Sequence, residues 1–444
     1  MRVLVFSRGD RYADTIERSC NKNNFFIVTD AAYTFSTSRF DYYLSSISDV
    51  HAAVGYTYFS DEELFNIVRR DRYLRGIRLK TALNYVYNIT GQLINIFKSE
   101  LPDMVYTHYP DSFTLDILFR IASRCNIRSC CPIGYALPNY FMQFDYINKV
   151  FYRRANQLKK LNLINCFATK PATMPFYFVT NRLIFGELLS RIRMVLGPLL
   201  MQARFLNPLN PDVKNRNFYA MCCATRSIPL KRLNIGDLNV RKYYSTLDDV
   251  KNTGRRKVIY ISMHYYPEAS IDYSSKSINL INHDKIVVDI IRNFSDKYIF
   301  IVKEHPVMYN LRNLKLYETI KGFKNTYLLN PTISYLDVIK KSDVVVSWGG
   351  SVGLEAPFYG KQTLNIIKPL YHIDGFDNYF SDYNDLMLSF ESKVEDNRFN
   401  VEAYCYALRE FCSWVLFEGD WAALKTKNKS EALASFARAF DQIL

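Results

Sequence analysis

A glycine-rich segment, SWGGSVGLEA at residues 347–356, follows a short apolar run and opens into a helical pattern. Gly349 and Gly350 permit backbone conformations closed to other residues, and the free N–H groups of the following helix attract a phosphate. Ser351 can cap this helix or donate its hydroxyl to the phosphate, and Glu355 can accept from ribose hydroxyls. The segment therefore predicts a nucleotide-phosphate site. A tight turn that needs glycine only for packing is the alternative.

His305 lies in a second segment, KEHP at residues 303–306, which also follows an apolar run. An imidazole at the end of a strand can donate to a phosphate oxygen or protonate a leaving group. The chain between His305 and Gly349 has room for two strand–helix units, so both loops can meet at one edge of a sheet. The predicted nucleotide-sugar-binding residues are Lys303, His305, Ser347, Gly349, Gly350, Ser351 and Glu355.

A third segment, residues 263–272, follows the first strand of the second half and carries His264, Glu268 and Asp272. It offers an imidazole and two carboxylates on one loop. A polar turn held by Pro267 is the alternative interpretation.

The composition is that of a globular protein of two or three domains, with 444 residues, 49% of them hydrophobic and 23% charged. The net charge of +14 predicts an acidic partner, such as a nucleotide, an anionic sugar or an anionic lipid. Basic residues concentrate between Arg204 and Lys257, but without an RNA-binding signature, so we expect no nucleic-acid partner.

The cysteine pattern and the apolar runs predict a cytoplasmic protein. Nine cysteines without a CxxC spacing indicate a reduced chain. The opening apolar run, residues 1–6, is too short for a signal peptide, and no uncharged run spans a bilayer. Leu183–Leu206 reads either as a helix buried in its domain or as a basic helix lying on the inner membrane face. Salt-sensitive flotation with anionic vesicles would support the membrane contact.

Strand and helix signals alternate in both halves of the chain, which predicts an α/β fold with parallel sheets. In the first half, strands are expected at 2–6, 25–29, 102–106 and 127–132, with helices at 73–98 and 112–125. In the second half, strands are expected at 257–263, 298–302, 326–329, 343–347 and 363–367. We predict a Rossmann-like domain at 1–250 with a helical, basic middle region, a second at 255–380, and helices at 381–444 packing back on both.

Three motifs together resemble the bacterial capsule and surface-polysaccharide biosynthesis family, which includes transferases that use CMP-Kdo. They are HYYPEAS at 264–270, KEHP at 303–306, and GSVGLEA at 350–356 followed by Gly360-Lys361. The RDR run at 70–72 is also similar. The resemblance is strong over residues 258–370. It implies a GT-B fold, with two Rossmann-like domains facing a central cleft, and a glycosyltransferase that needs no metal and no cofactor.

Carried over by motif, the resemblance implies that His305, Gly350 and Ser351 hold the donor phosphate and that His264 and Glu268 lie near the reacting sugar. Where the family has an N-terminal catalytic carboxylate, Asp30 and Asp111 are the candidates, because each lies just past a first-half strand. The chain departs from the family in having Gly349-Gly350 where the family often has Gly-Thr.

The expected function is transfer of a sugar, Kdo or a related ulosonic acid, from a CMP-activated donor to a lipid-linked or growing capsule polysaccharide or lipopolysaccharide. A glycerol- or ribitol-phosphate transferase using a CDP-alditol is one alternative. Another is a non-catalytic scaffold of a polysaccharide assembly complex. A UDP-sugar epimerase of the same fold is less expected, because the middle region is too basic and membrane-like for a small-molecule substrate. Whether the anomeric configuration is retained or inverted stays open.

Overall fold

A computed structural model describes most of the chain outside its middle region. The described residues are 1–8, 10–20, 24–30, 40–45, 55–133, 140–158, 163, 240–251, 256–266, 269–305, 308, 312–376, 378–396, 398–419 and 429–443. Among them, the residues up to 163 and from 411 onward form one compact unit, and those from 240 to 410 form a second. Leu183–Leu206 and the basic stretch before residue 240 lie outside the described residues.

The helices and strands of the first unit alternate along the chain. In order they are β1 (Val3–Phe6), α1 (Asp10–Ser19), β2 (Phe25–Thr29), β3 (Tyr42–Tyr43), α2 (Asp61–Arg70), α3 (Leu79–Glu100), β4 (Met104–Tyr106), α4 (Phe113–Arg124), β5 (Arg128–Ile133), β6 (Tyr140–Asp145) and β7 (Val150–Phe151).

The second unit continues the alternation, and the end of the chain returns to the first. The elements are β8 (Val258–Ser262), α5 (Ala269–Ser274), α6 (His283–Phe294), β9 (Ile299–Lys303), α7 (Leu314–Gly322), β10 (Thr326–Leu329), α8 (Tyr335–Lys341), β11 (Val344–Ser347), α9 (Ser351–Glu355), β12 (Gln362–Asn365), α10 (Tyr383–Val394), α11 (Val401–Val415), β13 (Leu416–Glu418) and α12 (Lys429–Asp441).

The first sheet has the strand order β13-β6-β5-β4-β1-β2-β3, and β7 pairs with β6. The pairs among β3, β2, β1, β4 and β5 are parallel, whereas β6 is antiparallel to β5, β7 and β13. The parallel part therefore has the order 3-2-1-4-5 of a Rossmann half, in which the chain reverses direction across the sheet between β1 and β4. We call this point the first switch point.

The second sheet has the order β10-β9-β8-β11-β12 and is parallel at every pair. Numbered from β8, this order is again 3-2-1-4-5, and the second switch point lies between β8 and β11. Side chains along β8 alternate between two cores, with Ile259 and Ile261 in one and Val258 and Tyr260 in the other. Burial on both faces explains why the parallel strands are almost wholly apolar.

The expected α/β class, with a Rossmann-like sheet in each unit, is confirmed, while two local predictions are corrected. The helix expected over 73–98 is interrupted, because Asp71 Oδ1 accepts from the backbone N–H groups of Tyr73 and Leu74 at 2.8 and 2.9 Å. A 3₁₀ turn results, and α3 begins only at Leu79. Residues 381–444, predicted to be helices, also contain the strand β13.

Two stretches that bear on the predicted domains have clear packing partners. Tyr243 lies in the core of the second unit, and Ser245 bridges to Leu329 of β10, so this part of the predicted first domain belongs to the second unit. Phe436 and Phe440 of α12 lie in the core of the first unit. No helix within the described part of the chain is long and apolar enough to cross a membrane.

Candidate functional site

The second switch point brings the loop after β8 against the loop after β11. A Cβ atom built on Gly350 would lie 3.4 Å from both Cε1 and Nδ1 of His264, so the imidazole rests on the glycine backbone. His264 Nε2 lies 3.0 Å from Ser270 Oγ, which fixes the other end of the ring. The sequence predicted a meeting of the His305 and Gly349 loops; the structure shows His264 against Gly350, and β8 lies between β9, which precedes His305, and β11.

The two neighbouring glycines serve different purposes. Gly349 has a φ of +73°, in the left-handed region that favours glycine. Gly350 has a φ of −77° and a ψ of 174°, which other residues adopt, and it is the N-cap of α9. It leaves room for the His264 ring instead. Ser351 is the first residue of the helix rather than its cap.

Arg312 ties the loop after β8 to two other segments of the second unit. Its side chain is 1% exposed. Its Nε donates to Glu304 Oε2 at 2.7 Å, its Nη1 donates to Asp284, and its Nη2 donates to the main-chain carbonyl of His264. One guanidinium thus holds the residue after β9, the start of α6 and the backbone of His264 together.

His283 holds the same backbone from the other side. Its Nε2 accepts from the His264 N–H at 3.0 Å, and its Nδ1 lies 3.0 Å from Asp284 Oδ1. The neutral ring therefore carries its proton on Nδ1 and donates it to Asp284. Burial lowers the pKa of His283 to about 4, and its ring lies 4.1 Å from that of Trp348. His264 is consequently fixed at both its N–H and its C=O.

Glu304 fixes the backbone of His305 in a similar way. It is fully buried, accepts from the His305 N–H at 2.6 Å, and also accepts from Tyr317 Oη at 2.9 Å. Burial raises its pKa, and Arg312 opposes this shift. The His305 ring lies 6.1 Å from that of Tyr265, so the loops after β8 and β9 meet.

Three predicted binding residues have partners inside the fold. Burial lowers the pKa of Lys303 to about 8, and its ammonium donates to the Pro331 carbonyl at 3.1 Å. Ser347 Oγ donates to Asn365 at 2.8 Å, and Glu355, fully buried, accepts from Tyr335 Oη at 2.7 Å. Their role in donor binding stays a prediction. Glu268 lies outside the described residues.

Asp30 and Asp111 meet at the first switch point through a residue that the sequence did not single out. Arg8 donates to both oxygens of Asp30, from Nε at 2.6 Å and from Nη2 at 2.8 Å, and its Nη1 donates to Asp111 Oδ1 at 2.7 Å. Nη2 also donates to Ser112 Oγ at 2.6 Å. The two candidate carboxylates therefore share one buried cation.

The RDR run of the resemblance supports this first-unit cluster. Asp71 Oδ2 accepts from the Phe113 N–H at 2.9 Å, which fixes the start of α4, and Arg72 Nη2 donates to the Asp111 carbonyl at 3.3 Å. The residues missed from sequence are Arg8, His108, His283, Glu304 and Arg312. The sequence pattern could have indicated four of them. Arg8, His108 and Glu304 lie within two residues of a strand end, and His283 is the first residue of α6.

Comparisons with known proteins give matches only among solved structures. No family model and no curated protein matches the sequence. KpsC of Thermosulfurimonas dismutans, described as a beta Kdo 2,7 transferase, is 10% identical, with 99% of this chain and 100% of that chain covered and a TM-score of 0.38. UDP-GlcNAc 2-epimerase of Neisseria meningitidis bound to UDP-GlcNAc is 14% identical, with 100% and 99% covered and a TM-score of 0.25.

The UDP-GlcNAc 2-epimerase of Methanocaldococcus jannaschii is 12% identical, with 89% of this chain and 93% of that chain covered and a TM-score of 0.26. The similar structures thus include a Kdo transferase and sugar-nucleotide epimerases. At these identities and TM-scores, the likenesses carry no argument about the substrate of this chain. The strand orders of the two sheets define its fold, and the motifs at their switch points define its candidate sites.

Proposed function

We propose that the protein is a glycosyltransferase that takes a sugar, Kdo or a related ulosonic acid, from a CMP-activated donor. The observation that carries the proposal is the meeting of His264 and Gly350 at the second switch point. In open α/β sheets, ligands bind outside the carboxyl ends of the strands at such a point. The acceptor in this proposal is a lipid-linked or growing glycan.

The donor phosphate would lie against the Gly349–Ser351 loop after β11, with His305 as a second contact from the end of β9, on the other side of β8. The imidazoles of His264 and His305 can each donate to a phosphate oxygen, and a protonated imidazole stabilises the negative charge that develops on the leaving phosphate. Arg312 and His283 fix the backbone of His264, and Glu304 fixes that of His305. The two imidazoles are therefore held in place before the sugar nucleotide binds.

The test is a thermal-shift and calorimetric screen with CMP, CDP, UMP, UDP and GDP. A ligand that binds only the folded state stabilises it by about 2.7 kcal/mol at one hundred times its Kd. We expect CMP to give the largest shift, and both His264→Ala and His305→Ala to abolish it. The control is His372→Ala, which removes an imidazole of the second unit beyond β12.

Each other outcome contradicts a defined part of the proposal. A preference for CDP would replace the ulosonic acid donor by a CDP-alditol, and a preference for UDP or GDP would replace it by a hexose donor. If no nucleotide stabilises the protein, the donor site is wrong and the scaffold alternative takes its place. If the His372→Ala variant loses the shift as well, the losses in His264→Ala and His305→Ala are not specific to those two imidazoles and do not support the donor site.

A further inference from the structure

A basic and partly apolar surface lies where α2 ends and α3 begins in the first unit. Six of the twelve residues 69–80 are Lys or Arg, and the one acidic residue among them is Asp71. Asp71 is buried, and its two carboxylate oxygens accept from the backbone N–H groups of Tyr73 and Phe113. Its charge is therefore held inside the fold, and the charge that this stretch presents to solvent is positive.

Three consecutive residues at the start of α3 form the centre of this surface. They are Arg78, Leu79 and Lys80, which we call the α3 patch. All three are exposed, and Leu79 is 63% exposed. Within the described part of the chain, neither Arg78 nor Lys80 has a carboxylate within ion-pair distance. The patch thus presents two cations on either side of an exposed leucine.

The start of α3 differs from that of an ordinary helix, and α2 shows the difference. α2 begins with a capping box of Ser60 and Glu63 and has three acidic residues in its first turn. α3 has no acidic residue in its first turn, and its N-cap, Arg78, makes no side-chain cap. Cations near a helix N-terminus are unfavourable, because the helix dipole is positive there. The α3 patch therefore costs helix stability, which indicates that its charge serves another purpose.

The neighbouring helix adds an exposed aromatic ring and a further cation. Phe65 is 54% exposed, and the guanidinium carbon of Arg69 lies 5.4 Å from the centre of its ring. α2 packs against α3, and the 3₁₀ turn Leu74–Gly76 packs against both helices. The acidic residues of α2 lie at its other end, in the first turn. Apolar and cationic side chains thus occur together on both helices.

An anionic lipid surface is the partner that fits this combination. Cations bind to phosphate headgroups, and apolar side chains gain by entering the boundary between headgroups and acyl chains. A second copy of the patch would bring like charges together. The chain's own stretch between Arg204 and Lys257 is basic as well, so neither fits. A nucleic acid would contact the cations but leave Leu79 and Phe65 in water.

We propose that the α3 patch docks the protein on an anionic lipid surface, with Arg78 and Lys80 against the headgroup phosphates and Leu79 inserted between them. Phe65 and its neighbouring arginine make a second contact. The inference goes beyond the proposed function, because it depends on neither the donor nor the reaction. It places the membrane contact on the first unit rather than on Leu183–Leu206, the segment that the sequence indicated.

The test is co-sedimentation of the full chain with vesicles of phosphatidylcholine, either alone or mixed with phosphatidylglycerol. We expect binding only to the mixed vesicles, and weaker binding at high salt, because salt screens the charges. Arg78→Gln and Lys80→Gln should each weaken binding about fivefold, the effect of one cation near an anionic surface. Leu79→Ser should weaken binding about tenfold, because a leucine side chain no longer enters the lipid.

Matched variants in the second unit are the controls. Lys324→Gln and Lys340→Gln each remove an exposed lysine, and Leu388→Ser removes a leucine that is 86% exposed. We expect all three to bind as the wild type does. Urea unfolding separates a loss of binding from a loss of folding. Arg78→Gln should keep or raise the urea midpoint, since it removes a cation from the start of α3.

Each other outcome overturns the inference. If the wild type does not bind the mixed vesicles, or binds both kinds equally, the protein has no preference for an anionic lipid surface. If the Arg78, Leu79 and Lys80 variants bind as the wild type does, another part of the chain makes the contact. If only the two charge variants lose binding, the patch binds polyanions such as nucleic acid. The CMP screen is a separate measurement, so the donor proposal stands or falls independently.

Discussion

The two switch points of the molecule are both organised by a buried arginine that bridges two carboxylates. In the first unit Arg8 contacts Asp30 and Asp111, and in the second Arg312 contacts Glu304 and Asp284. The two arginines differ in the further group that each guanidinium contacts. Arg8 reaches the partly exposed His108, whereas Arg312 reaches only the backbone carbonyl of His264 among the histidines. The same ion network can thus support a titratable side chain or fix a loop.

We expect the largest loss in the free energy of unfolding when Arg312 is replaced. Arg312→Met leaves the carboxylate of Glu304, fully buried, without its cation, and breaking a buried pair costs about 3–5 kcal/mol of the free energy of unfolding. Arg8→Met leaves Asp30, which is 3% exposed, without the cation that bonds both of its oxygens. Its other partner, Asp111, is 15% exposed and reaches water, so we expect a loss of about 3 kcal/mol, the lower end of that range. Urea unfolding at pH 7 measures both.

The control for these two variants is Arg398→Met. Its side chain is 91% exposed and pairs with Asp396 two residues away, so we expect the urea midpoint to stay that of the wild type. A loss for Arg312→Met or Arg8→Met no larger than that for Arg398→Met would show that the buried ion pair does not stabilise that unit.

The two units also differ in how a histidine, His283 or His108, makes the free energy of unfolding depend on pH. The pKa of His283 falls from 6.5 to about 4 on folding, so the unfolded chain binds more protons between these pH values. Stability therefore rises with pH across that window and is flat above it, by about 3 kcal/mol in total at 1.36 kcal/mol per pH unit. His283→Gln, whose side-chain oxygen can still accept from the His264 N–H, should lose less stability than the wild type between pH 7 and pH 4.

His108→Gln is the matched comparison in the first unit. The His108 side chain is 23% exposed and is not closed off from water as that of His283 is, so the variant should follow the pH dependence of the wild type. Urea midpoints measured from pH 4 to pH 7 test both variants. A His283→Gln curve parallel to that of the wild type would show that His283 is not held neutral by burial.

The sequence predicted the alternation of strands and helices, and it predicted that the loops carrying His305 and Gly349 can meet at one sheet edge. The structure instead shows His264 against Gly350. The apolar runs carry this information because strands buried on both faces must be apolar. The arginine networks were hidden, since a charged residue near a strand end usually lies in solvent. Only the strand order shows that Arg8 lies between Asp30 and Asp111. Arg312 was harder still, because its three partners come from three separate segments.

The smallest expected effect concerns a glycine with no counterpart described at the first switch point. A Cβ on Gly353 would lie 2.3 Å from Ser347 Oγ, 2.6 Å from Tyr371 Oη and 2.9 Å from Asn365 Oδ1. These buried polar groups bond to one another, and Tyr371 Oη also donates to the Gly350 carbonyl at 3.1 Å. Gly353→Ala should therefore push α9 away from β11 and cost about 1–3 kcal/mol, the usual range for overpacking.

Two further variants decide whether this close approach causes the loss. Gly322→Ala, at the last residue of α7, meets nothing within 4 Å and should be neutral or slightly stabilising. Ser347→Ala added to Gly353→Ala removes the nearest oxygen, so the double variant should recover part of the loss, and a double-mutant cycle in urea measures that coupling. Strict additivity would mean that Ser347 does not set the spacing of α9, and that the second switch point tolerates a side chain where the structure shows none.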